Sequence, residues 1–146
     1  MVSEQTRSWS GACHCGDVKF TVELEEPLRA VRCNCSICAI KGAVMLGAPL
    51  VALSVVEGQD LLTCYRFNTG IAKHWFCSSC GAYTFHQRRS DPGTYGINAA
   101  CLGLDPYKDF PDVAVSDGVN HASDSGRFRV AGRLKFEPSP EDDGVE

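Results

Sequence analysis

No apolar run comes near the ~20 residues that a membrane-crossing helix needs, and the opening stretch, MVSEQTRSWSGACHC, has no basic start followed by an apolar segment. Neither a membrane span nor a secretory leader is therefore expected, and the compartment is read as the reducing cytoplasm. Basic residues form no block or stripe. The net charge of −4 is concentrated in the last ten residues, EPSPEDDGVE, which hold five acids and no base, so the body is close to neutral and binding of nucleic acid or another polyanion is not expected. The chain also lacks a GxSxG elbow, a phosphate-binding P-loop and a dinucleotide fingerprint, which sets aside three large enzyme classes.

Helix signals are scarce as well. One short turn, Ile37–Lys41, is expected, capped by Ser36 and ended by Gly42. Short alternating stretches dominate instead. Val18, Phe20, Val22 and Leu24 alternate with Lys19, Thr21 and Glu23, the period-2 pattern of a half-buried strand. FRVAGRLKF near the end reads the same way, with Gly132 as a candidate bulge. Further strands are expected near Val44–Leu46, Val51–Val56, Leu62–Phe67, His74–Phe76, Ala82–His86 and Tyr95–Ala99, separated by Gly, Pro, Asn and Asp. Asp105–Gly118, with two prolines, reads as a long ordered loop holding at most one helical turn. The fold class is all-β with little helix. One domain is expected over residues 1–136, followed by an acidic, disordered tail at 137–146.

What the chain does have is nine cysteines, seven of them in three tight clusters: Cys13 and Cys15 in GACHCG, Cys33, Cys35 and Cys38 in CNCSIC, and Cys77 and Cys80 in FCSSCG. In a reducing compartment such spacing points to metal, and zinc favours thiolate donors in a tetrahedron. Seven thiolates divide into four and three. Cys13, Cys15, Cys77 and Cys80 are read as a closed, structural zinc site; Cys33, Cys35 and Cys38 are read as a second, open zinc site of the kind that catalytic ions occupy. Iron in the four-sulfur site, free buried thiols throughout, and completion of the second site by His14, His74, His86 or His121 are the alternatives. Zn²⁺ with three thiolates carries about −1, which suits holding a visiting sulfur as thiolate better than polarising a carbonyl.

The same motifs resemble the glutathione-dependent formaldehyde-activating enzyme family, which includes centromere protein V. The resemblance rests on GACHCG, CNCSICAIKGA and FCSSCGAYTF in order, and runs from about Gly11 to Leu104. It implies a fold of packed sheets called a β-tent and the same division of the seven cysteines between a structural and a more labile zinc. It also implies a carbon–sulfur lyase-type activity, here joining glutathione or another thiol to formaldehyde or a small aldehyde. The segment INAACLGLDPYKDFPDVAVSDGVNH departs from the Leu-Asp-Asp-Pro pattern of many members and marks a distinct subgroup. A non-catalytic zinc scaffold and a redox sensor are the competing functions.

Other residues carry quieter expectations. Cys64 and Cys101 are read as buried packing residues, and Trp9 and Trp75 as core or edge packing. His14 is expected to point outward and His74 to face solvent. His121 is a candidate proton donor whose plainer role is ordering a loop, and Arg88 with Arg89 read as a solvated pair able to attract a carboxylate.

Overall fold

Residue alternation and glycine-closed turns account for most of the secondary structure. The computed structural model describes residues 5–140. In chain order it contains β1 (Thr6–Ala12), β2 (Lys19–Glu25), β3 (Ala30–Cys33), α1 (Ser36–Lys41), β4 (Met45–Pro49), β5 (Leu53–Glu57), β6 (Leu62–Tyr65), β7 (Lys73–Cys77), β8 (Tyr83–Gln87), β9 (Thr94–Asn98), β10 (Asp112–Ser116), α2 (Ala122–Ser125) and β11 (Val130–Lys135). They form a three-stranded sheet, β1-β2-β5, and an eight-stranded sheet, β11-β10-β3-β4-β9-β8-β7-β6. All pairings are antiparallel except β3 with β10. The all-β expectation of packed sheets with little helix is borne out. No helix among the described residues is long and apolar enough to cross a membrane.

The two sheets meet over one apolar layer. β2 contributes Phe20, Val22 and Leu24, its inward-facing alternate residues, and the larger sheet contributes Leu46, Ala48, Phe85 and Ile97. Phe20 meets Phe85 edge-to-face with ring centroids 5.3 Å apart, the geometry that ring quadrupoles favour. Gly11, paired with Phe20 across β1 and β2, has no room for a side chain: a Cβ there would lie 2.5 Å from the Phe20 ring. The bare glycine lets the Phe20 ring lie across β1 beside Leu102.

Three expectations need correction. Ser36 is the first residue of α1 and Cys35 is its N-cap, with no side-chain capping bond, so the Cys35 sulfur is not used by the helix. The expected loop Asp105–Gly118 contains β10, because Val113 is buried and Ala114–Ser116 pair in parallel with Val31–Cys33. β1 and β3 were not expected from the alternation; β3 has only four residues and β1 is polar on both faces for most of its length. The expected acidic tail lies beyond residue 140 for most of its length, outside the described residues.

Replacing Phe20 by alanine removes a fully buried ring at the seam. It is expected to lower unfolding stability by about 3–5 kcal/mol, measured by denaturant titration of the metal-loaded protein.

Candidate metal centres and the cavity beside them

Two turns of the same construction form the first cysteine group. After β1, Gly16 N–H donates to Cys13 O at 3.1 Å and Gly16 takes a φ of 84°. After β7, Gly81 N–H donates to Cys77 O at 2.7 Å and Gly81 takes a φ of 76°. Glycine is suited to both positions because a Cβ disfavours that backbone region. Each turn curls the chain back over its first cysteine. Val18 N–H reaches Cys13 Sγ at 3.3 Å and Ser79 N–H reaches Cys77 Sγ at 3.3 Å, and such donors favour charge on sulfur.

The four ligand atoms of Cys13, Cys15, Cys77 and Cys80 lie within 4.8 Å of one another. Two separations, Cys13–Cys15 at 3.6 Å and Cys15–Cys77 at 3.8 Å, match the ~3.8 Å edge of a tetrahedron with metal–sulfur bonds of ~2.3 Å. The donor set and its size fit a thiophilic ion. Cys13 and Cys77 are buried with Val18 in a small apolar cluster of their own.

The second group lies at the end of β3. Cys33 closes the strand, Cys35 caps α1 and Cys38 is buried in the first turn of that helix. Because β3 and β10 run parallel, their C-terminal ends arrive together, and Ser116 pairs with Cys33. Asn34 Oδ1 then accepts from Gly118 N at 2.7 Å and Val119 N at 3.2 Å. This holds the segment after β10 against the cysteines. A Cβ on Gly118 would lie 2.6 Å from Cys33 Sγ.

The sulfurs of Cys33, Cys35 and Cys38 also lie within 4.8 Å of one another, and among the described residues no fourth Cys, His, Asp or Glu joins them. Without a cation they ionise unequally. Thiol hydrogen bonds from Cys35 and Cys38 pull Cys33 down to about 2, and the hydrogen bonds that Cys38 gives to the Cys33 and Cys35 sulfurs, with its burial, push Cys38 far up. Full ionisation of the three needs a cation among them, which is the chemistry of a metal site.

A cavity of about 500 Å³ opens over this group, bounded by Phe67, His74, His86, Arg88, His121 and Phe128 among others. Beneath it, Lys41 Nζ lies 2.7 Å from His74 Nδ1 and 3.6 Å from the centre of the Tyr83 ring. Tyr83 Oη is 2.7 Å from His86 Nδ1. Burial lowers Lys41 to about 8 against the opposing pull of the cysteine thiolates. Burial, with Lys41 adding to it, lowers His74 to about 4, and burial with the neighbouring cations lowers His86 to about 2. Both imidazoles are therefore neutral near pH 7. Desolvation raises Tyr83 well above the usual phenol range.

The structure thus brings the seven clustered cysteines together in the expected four and three. His14 is exposed as expected. His121 orders a loop: its Nδ1 accepts from Ser123 N at 3.0 Å as the N-cap of α2, and it lines the cavity. Cys101 packs against the core and Trp9 and Trp75 flank it. Cys64, expected to be buried, is exposed on the edge strand β6. Arg89 is not a solvated partner of Arg88 but pairs with Asp124 of α2.

His74, expected to face solvent, is 5% exposed. Trp75 packs against the core from one face of β7, and His74 lies on the other face, where Lys41, Phe67 and His86 cover it. Sequence reasoning missed Lys41 and Tyr83. The signal for Lys41 was its place one helical turn after Cys38, on the same side of α1. For Tyr83 only the strand register puts the hydroxyl beside His86.

A family model for the glutathione-dependent formaldehyde-activating enzyme matches residues 8–114. That span includes all seven clustered cysteines, Lys41, His74 and His86, and stops short of Gly118 and α2. A crystal structure of a protein from Rhodobacter sphaeroides is similar, with 49% identity over 73% of this chain and 98% of that chain and a TM-score of 0.69.

Gly118→Ala is expected to displace the segment after β10 or the three cysteines. The variant should keep one tightly held metal ion and lose most of its second, read by metal analysis of the purified protein. Unchanged content of both would remove Gly118 from this role.

Proposed function

The chain belongs to the glutathione-dependent formaldehyde-activating enzyme family, and from that premise we propose that it catalyses addition of a thiol of the glutathione type to formaldehyde or another small aldehyde, and the reverse carbon–sulfur cleavage. The observation that carries this reading is the group Cys33, Cys35 and Cys38, which no fourth protein donor joins among the described residues and which opens into the cavity.

In this reading Cys13, Cys15, Cys77 and Cys80 hold a structural zinc and Cys33, Cys35 and Cys38 hold a second. Zinc with three thiolate ligands supplies a position where a fourth sulfur stays ionised, and so nucleophilic, at neutral pH. The remaining work belongs to the chain. The segment 117–128, tied down by Asn34 and by the Arg89–Asp124 pair, narrows the cavity and limits water. Arg88, which lines the cavity without an ion-pair partner among the described residues, meets a carboxylate of the thiol substrate. The aldehyde is held beside the sulfur, and orientation of the two reactants supplies much of the rate gain. The setting is the reducing cytoplasm, and residues 1–136 form the working unit.

Cys35→Ser is expected to fold, to retain one zinc of two, and to lose catalysed exchange between free formaldehyde and its glutathione adduct, followed by NMR. Wild-type exchange in that variant would end the proposal. Cys13→Ser is expected to do more damage. Loss of a structural zinc removes on the order of 10 kcal/mol of metal-linked folding free energy, so this variant should be largely unfolded by circular dichroism.

A further inference from the structure

Lys41 is a half-buried cation with no carboxylate partner among the described residues. Its hydrogen-bond contact is His74 Nδ1, at 2.7 Å, and the Tyr83 ring lies beside it. An ammonium group only donates, so Nδ1 accepts, and a neutral imidazole that accepts at Nδ1 carries its proton at Nε2. That Nε2–H is buried and has no hydrogen-bond partner. His74 lines the same cavity as Cys33, Cys35 and Cys38. A fixed, desolvated N–H donor therefore stands at the cavity wall without an acceptor, and buried donors are seldom left so.

The ring is held as well as oriented. His74 stacks with His86 at 5.0 Å, 13° from parallel, and with Phe67 at 5.9 Å. Tyr83 Oη donates to Gly96 O at 3.1 Å, so its lone pair accepts from His86 Nδ1. Gly96 leaves the space that the His86 ring fills, since a Cβ there would sit 2.5 Å from His86 Cε1. The groups facing His74 are thus Lys41, His86 and Phe67, of which only Lys41 is charged near pH 7.

We propose that His74 is a catalytic residue that donates its Nε2 proton to the aldehyde oxygen, and that Lys41 is the positioning residue that fixes its tautomer and replaces that proton. This rests on the thiol–aldehyde reading of the cavity. As the substrate sulfur forms the carbon–sulfur bond, the carbonyl π pair moves onto oxygen. Oxygen takes the proton from Nε2 while Nδ1 takes one from the Lys41 ammonium. Nε2 then takes up, through the cavity, the proton that the thiol released on ionising, and Nδ1 hands its proton back to the Lys41 amine, which restores the starting tautomer and the ammonium. The product is the S-hydroxyalkyl thiol, with no change of oxidation state. In reverse the same groups return the proton.

The experiment uses zinc-loaded protein with glutathione and formaldehyde. His74→Gln keeps an N–H donor but cannot pass a proton on. It should lower the turnover number by about 10²-fold or more, within the range of general acid catalysis, and leave KM and zinc content nearly unchanged. Lys41→Met should also lower turnover, and Lys41→Arg should restore part of it. Imidazole ¹⁵N NMR should show His74 as a single Nε2–H tautomer in the native protein and as a mixture in Lys41→Met.

Wild-type turnover in His74→Gln with both zincs in place overturns the proposal, as does a native Nδ1–H tautomer. If His74→Gln does not fold, wild-type turnover in Lys41→Met overturns it alone. A native protein that does not accelerate adduct formation refutes the functional reading. In that case the tautomer still decides the inference: Nδ1–H refutes it, and Nε2–H that shifts on addition of glutathione supports it.

Discussion

Sulfur held close to sulfur is the constraint on which the rest depends. Cys15 and Cys77, 62 residues apart, bring their sulfurs to 3.8 Å. Thiolates at that distance repel unless a cation lies among them. The turn after β1 and the turn after β7 are thereby locked together, and they belong to different sheets. The apolar seam around Phe20 and Phe85 then closes between sheets whose ends are already pinned. A chain of this size can bury a core of its own, but here the strands are short, and at that end the cysteine group adds to the direct passage of the chain from β5 to β6.

The second cysteine group is built from the same chemistry and to a different end. It sits where β3 meets α1, and the parallel neighbour β10 delivers the segment that covers it. Four protein sulfurs meet in the first group, and three in the second, which no further Cys, His, Asp or Glu joins among the described residues. On the proposed function, that difference of one donor is what lets the second group receive a substrate sulfur.

Charge balance links this group to the residues beneath the cavity. A divalent ion with three thiolates carries about −1, and Lys41, one turn along α1 from Cys38, offsets it. The thiolates in turn oppose the fall in Lys41 basicity that burial causes. Lys41 then sets how His74 holds its proton, and His74 with His86 and Tyr83 forms a stacked, neutral polar wall. The family match ends at residue 114, so the seven cysteines and this wall lie within it. The covering segment with Gly118, His121 and Asp124 lies beyond that match.

The sequence by itself determined what depends on neighbours along the chain. Alternation named most strands, and cysteine spacing divided seven sulfurs into four and three. Each of these is a local property, legible within a few residues. Tertiary structure alone decided what depends on register and on which strand ends share a side. Lys41, Phe67 and His86 cover the face of β7 on which His74 lies, against its expected exposure, and an edge position left Cys64 exposed against its expected burial. Parallel pairing with β3, which no local pattern encodes, converted an expected loop into β10 and laid Gly118 on Cys33. The meeting of Lys41, His74, Tyr83 and His86 comes from three separate elements. Contacts of that kind arise only when sheets pack, because no residue carries a sign of its partner on another strand.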